Sequence, residues 1–250
     1  MDWSVQVLGP VQVETPAGLV PIGGRRSRTL LAALVIGVGR DVSQDTLIEA
    51  VWGSQPPPHA TAALQSHVSK LRHVLGVNSI VTEDHSYRLV ADCDQIDACR
   101  FQRDIQQAAS VLPADPTAAR TLVREATELW RGAPFGELSD EEFCYLETQR
   151  LGELRRTGEE IELEAGLALG MDSETVPALQ AAVVGEPYRE RRWYLLIYAL
   201  ARSGRRVEAL RVHNDLAMTL GAVGLAPTHA FDDLAAMVAA GDPLPPLATV

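Results

Sequence analysis

The residues best suited to chemistry in this chain lie between His59 and Leu75, a run of 17 residues without one aspartate or glutamate. The run holds Thr61, Gln65, Ser66, Ser69, Lys70, Arg72 and His73. Hydroxyl and amide side chains bond the edges of base pairs, while lysine and arginine bond guanine or phosphate. At about 100° per residue, Leu64, Val68, Leu71 and Leu75 fall on one stripe, which must face a core. The opposite face carries His59, Ala62, Ser66, Ser69, Lys70 and His73, flanked by Gln65, Arg72 and Thr61. A carboxylate on that face would repel phosphate, so the segment reads as a helix that enters a DNA groove. The plainer alternative is a solvated polar face.

Two further cationic groups accompany it. Arg25, Arg26 and Arg28 open another helix, where positive charge opposes the macrodipole unless a phosphate offsets it. Arg88, with His85, sits in a hairpin within reach of a DNA backbone. The expected DNA-binding set is thus Arg25, Arg26, Arg28, Thr61, Gln65, Ser66, Ser69, Lys70, Arg72, His73 and Arg88. Catalytic patterns are missing. The six histidines form no H-x-x-x-H or H-E-x-x-H pair, and the sequence holds no nucleophile elbow and no glycine-rich phosphate loop. No enzyme activity, cofactor, metal or nucleotide is expected.

The elements that position these groups follow from composition and periodicity. With 46% hydrophobic and 22% charged residues, the 250-residue chain reads as globular, with room for two domains. Its longest apolar run, Leu30 to Gly39, is about half of what a membrane span needs. The start, Met1-Asp2-Trp3-Ser4, has no basic stretch leading into an apolar one, so no secretion signal is expected. Cys93, Cys99 and Cys144 are odd in number and lack C-x-x-C spacing, which fits free thiols in a reducing cytoplasm. The net charge of −11 is unevenly spread: residues 1–90 hold 7 basic and 7 acidic side chains, and residues 91–250 hold 15 and 26. The first part alone is free of the acidity that opposes DNA binding.

Residues 1–22 read as short β-branched strands with turns at Gly9-Pro10 and Pro16-Ala17-Gly18. A helix from Arg25 follows, its face set by Leu30, Leu31, Leu34 and Val35. Another runs from Ser43, as N-cap, to Trp52 and Gly53. Pro56-Pro57-Pro58 precedes the helix from His59, and Ile80–Thr82 with Tyr87–Val90 forms a hairpin. Strands, three helices and a hairpin describe a winged helix-turn-helix. Beyond residue 93 only helices are expected, at about 97–111, 116–131, 140–169, 174–184, 188–203, 206–220 and 228–239. Trp193, Leu196, Gly204 and Ala209 fall at tetratricopeptide-repeat spacing. The fold class is an α+β winged helix-turn-helix domain followed by an all-α tetratricopeptide-like domain. The expected boundaries are 1–92, 93–240 and a frayed tail at 241–250.

The order of motifs resembles the small, two-domain Streptomyces antibiotic regulatory protein (SARP) family over nearly the whole chain. The matching residues in the first half are Leu8-Gly9-Pro10-Val11, Leu30 to Leu34, Ile48-Glu49-Ala50-Val51-Trp52-Gly53 with Pro57-Pro58, Leu64 to Arg72, and Tyr87-Arg88-Leu89. In the second half they are Asp97 with Arg100-Phe101, Leu129-Trp130-Arg131-Gly132, Ala199 to Arg205, and Glu208-Ala209-Leu210. Two places depart from the family pattern. His73 stands where arginine is usual, and Asp84-His85-Ser86 replaces the glycine of the wing turn, so Asp84 or His85 must take any positive φ.

The resemblance implies an OmpR-type winged-helix domain joined to a bacterial transcriptional activator domain. It implies a cytoplasmic activator, nucleoid-associated when bound, that binds promoter direct repeats in double-stranded DNA and recruits RNA polymerase holoenzyme to a biosynthetic gene cluster, commonly one for a secondary metabolite. Gln55, Pro56 and Pro57, in the loop before the helix at His59, are the expected polymerase contacts; the alternative is a rigid linker. With so few cations per domain, binding is expected as a dimer or higher, through self-association on DNA. The rival readings are a repressor, a ligand-gated regulator, or a helical protein-interaction scaffold with a degenerate winged helix. No membrane partner is expected.

Overall fold

The computed structural model describes residues 3–247. The chain divides into two compact units, Met1–Ile105 with Glu125–Arg155, and Gln106–Arg124 with Arg156–Val250.

The first unit opens with an antiparallel sheet of β1 (Ser4–Gln6), β2 (Gln12–Thr15) and β3 (Gly18–Val20), in which Val5 faces Val13. Then come α1 (Arg25–Ile36), β4 (Val42–Ser43), α2 (Gln44–Trp52), α3 (Ala60–Leu75), β5 (Ile80–Glu83) and β6 (Ser86–Leu89). The second sheet has the order β4-β6-β5. Two-residue β4 leaves no periodic trace in the sequence, yet it pairs Val42 with Tyr87 and ties the start of α2 to the wing. The Ser43 hydroxyl caps α2 by accepting from the Thr46 amide at 3.1 Å, a contact worth about 1 kcal/mol. Leu30, Leu31, Leu34, Leu47, Leu64 and Leu89 are fully buried, so all three helices and the wing share one core.

This unit runs past residue 92 because the end of β1 needs partners from later in the chain. The amides of Val7 and Leu8 donate to the Asp97 carboxylate at 2.8–3.0 Å. Their carbonyls accept from Phe135 and Arg131, both at 2.7 Å. A sheet edge left open would expose unpaired backbone groups; here residues 97 and 131–135 close it. The approach is tight: a Cβ on Gly136 would lie 2.8 Å from the Pro10 Cα, and Gly136 has φ +54°.

The later helices are α4 (Asp97–Val111), α5 (Pro116–Thr127), α6 (Glu142–Ala168), α7 (Asp172–Gly185), α8 (Glu190–Arg202), α9 (Arg206–Gly221) and α10 (His229–Ala240). In the second unit, Trp193, Leu196 and Ala209 are buried in one core cluster, and Gly204 makes the turn between α8 and α9 with φ +76°. That is the helix-turn-helix unit expected from their spacing. Helix α7 starts earlier than expected and absorbs Pro177. Arg192, only 3% exposed, is satisfied by Glu159, Glu160 and the Ala182 carbonyl. Along the expected tail, the Tyr198 hydroxyl donates to the Pro245 carbonyl at 2.8 Å, and Leu244 and Leu247 pack on the helical core. Residues 248–250 of that expected tail lie outside the described residues, as do Met1 and Asp2 of the start.

Candidate nucleic-acid interface

Helix α3 turns Leu64, Val68, Leu71 and Leu75 inward. Thr61, Gln65, Ser66, Ser69, Lys70 and His73 are exposed on the other side. Lys70 meets no carboxylate among the described residues. The face is therefore polar, cationic and open along four turns.

The other expected contacts divide. Arg72 is half-buried; its Nε donates to the Ile80 carbonyl at 2.9 Å and its Nη2 to the Thr82 hydroxyl at 2.7 Å. It joins α3 to β5 and so serves as an anchor within the domain. Arg88 pairs with Glu83 at 3.0 Å and with Asp41 at 3.7 Å. The wing turn between β5 and β6 gives its positive φ to Asp84, at +46°, as expected where glycine is absent.

At the start of α1 the three arginines have three different environments. Arg26 lies over the Trp52 ring, 5.9 Å from its centroid. Arg25 pairs with Glu141, and the Arg28 Nε donates to Glu137 at 3.0 Å. The Arg28 guanidinium, by hydrogen bond and charge, lowers the Glu137 carboxyl below its ordinary range. Sequence reasoning missed both glutamates. They stand more than a hundred positions from their partners, and only the closure of β1 brings them there.

His67 and Trp52 were also missed as parts of this surface. His67 Nδ1 lies 2.9 Å from the Ser27 hydroxyl, and its ring centroid is 6.1 Å from that of Trp52. Burial, Lys70 and Arg26 lower the His67 pKa from its ordinary value, in that order. A groove of about 760 Å³ opens beside this cluster, lined by Arg25, Arg26, Trp52, Gly53, Ser54 and Phe143 among others. Gln55 and Pro56 are exposed on the loop that leaves it, and Pro57 is half-buried.

Elsewhere the chemistry is quiet. Among the described residues no group of three or more His, Cys, Asp or Glu side chains is placed to hold a metal ion. Burial pushes the Cys99 thiol up to about 11 and the Cys144 thiol up to about 12, so both stay protonated. No helix among the described residues is long and apolar enough to cross a membrane.

A winged helix-turn-helix followed by a helical repeat-like domain defines a class of transcriptional regulator. Residues 22–88 match the family "Transcriptional regulatory protein, C terminal", and residues 96–238 match "Bacterial transcriptional activator domain". The chain belongs to the bacterial transcriptional activator domain family, in its SARP arrangement. It is 35% identical to Regulatory protein AfsR of Streptomyces coelicolor over 243 residues, which are 95% of this chain and 24% of that protein. It is 33% identical to Transcriptional regulator RedD of the same organism, over 82% of this chain and 61% of RedD. The chain thus spans less than two thirds of either relative. The solved structure of Mycobacterium tuberculosis EmbR, in complex with a low-affinity phosphopeptide, superposes with a TM-score of 0.89 at 29% identity, over 97% of this chain and 66% of that one. These relatives are named as regulators, and both family models the chain matches are those of transcriptional regulatory domains.

Proposed function

We propose that this regulator activates transcription by binding promoter DNA through α3 and contacting RNA polymerase through the loop before it. The observation that carries the reading is the exposed, carboxylate-free face of α3, with Lys70 unpaired among the described residues. Ser66, Ser69, Gln65 and Thr61 supply base-edge partners around it, and Lys70 supplies a phosphate or guanine contact. Arg25, Arg28, Arg72 and Arg88 already have partners within the chain. One copy therefore offers few free cations, and affinity at a promoter comes from two or more copies on adjacent repeats.

The test is a footprint on the promoters beside its own gene, with wild type and Lys70→Glu. Protection of paired repeats by wild type, lost in Lys70→Glu, supports the reading. No protection by wild type points instead to a helical scaffold with a degenerate winged helix, and protection indifferent to the substitution takes Lys70 out of the contact.

A further inference from the structure

Glu137 and Glu141 have no place in the scheme so far, yet they sit on two of the three arginines at the start of α1. Both pairs are partly open to water on each side. The first turn of α1 is itself fixed beside the middle of α3 by the contact between Ser27 and His67. Arg25 and Arg28 thus border the surface assigned to DNA, with their charge already answered by carboxylates. No acidic residue occupies the first turn of α1, so these glutamates also supply the negative charge that its N-terminus favours.

We infer that Glu137 and Glu141 are specificity-determining residues that keep Arg25 and Arg28 from non-specific DNA. Non-specific affinity comes from phosphate neutralisation and little else. A duplex that offers only phosphates must displace the two glutamates with nothing gained at base edges. At a cognate site α3 is held in the groove by its own contacts, and the phosphates beside it then compete for arginines kept close by. Exposed ion pairs are weak enough to be exchanged in this way. Removing the carboxylates should therefore raise affinity for any duplex and erode discrimination.

The inference rests on the proposed DNA binding, and the experiment separates the two. Binding of the full chain to a mixed-sequence duplex is followed across a salt series, for wild type, Lys70→Glu, E137Q/E141Q, R25Q/R28Q and the quadruple variant. E137Q/E141Q is expected to steepen the slope of log K against log salt by about 0.9 for each freed arginine, about 1.8 in all. R25Q/R28Q in the wild-type background leaves the slope unchanged, and the quadruple variant loses the gain. If the double glutamate variant melts early, Glu137→Gln alone carries the test, with a gain of about 0.9. A slope unmoved by the glutamate substitutions overturns the inference, as does a fall with R25Q/R28Q alone, which would place the arginines already on phosphate. If wild type does not bind, the DNA-binding reading falls and the inference with it; if it binds without regard to Lys70, the assignment of the contact to α3 falls.

Discussion

The Ser27 hydroxyl lies 2.9 Å from His67 Nδ1, joining the first turn of α1 to the middle of α3. Burial there, and then the charges of Lys70 and Arg26, disfavour the protonated ring. Its folded-state pKa is lowered, so the unfolded chain binds the proton more readily, and stability rises with pH through that range. The contribution is complete above the ordinary value of 6.5 and is lost as pH falls through the lowered one. Urea midpoints taken from about pH 7 to about pH 5 should drop in wild type. His67→Gln should flatten that drop. An equal slope in the two proteins would remove His67 from the account.

Asp97→Ala should destabilise the first unit by leaving the Val7 and Leu8 amides buried without acceptors. Each orphaned donor costs about 1–3 kcal/mol. Gly136→Ala should act on the same seam by another route, since its new methyl meets the Pro10 backbone and its φ is positive. Thermal melts of the two variants, and of the pair combined, measure this. Sub-additive losses are expected because both open one edge.

Arg72 and Lys70 sit two residues apart on α3 and should separate cleanly. Arg72→Ala should lower stability by about 1.5–3 kcal/mol, since it loses bonds from a charged donor to Ile80 and Thr82. Lys70→Glu should leave melting unchanged and abolish binding. Circular dichroism and anisotropy on the same preparations would show it; a stable Arg72→Ala that fails to bind would return Arg72 to the DNA contacts.

Gln55→Ala should reduce transcription from a cognate promoter while leaving the footprint intact. The side chain is exposed on the loop between α2 and α3 and belongs to neither helix. In vitro transcription beside footprinting gives both readouts. Parallel loss of the two would make the loop a rigid linker.

Much of the architecture was legible in the sequence because its signals are local. The stripe of Leu64, Val68, Leu71 and Leu75 has a helical period, Ser43 caps α2, and Trp193 to Ala209 keeps its repeat spacing. The site was legible only in outline. Arg72 and Lys70 look alike as letters, and only the position of β5 decides that one is anchored and the other free. Glu137 and Asp97 act across about ninety or more positions, on partners chosen by how the edge of β1 is closed. Helical and strand periods carry no record of contacts at that separation. Pro177 lies inside the helix expected at 174–184, and α7 does continue through it although proline normally interrupts a helix.

The closure of β1 also dictates an order of events during synthesis. Residues 3–92 leave the ribosome with Val7 and Leu8 still lacking the partners at 97, 131 and 135. Until those arrive, the nascent chain carries an open strand edge, the kind of surface on which neighbouring chains pair and aggregate. A fragment cut at residue 92 would carry the same edge permanently. The shortest piece with the winged helix and a finished sheet therefore reaches beyond residue 135, and it brings most of the sequence up to Glu137 and Glu141 with it.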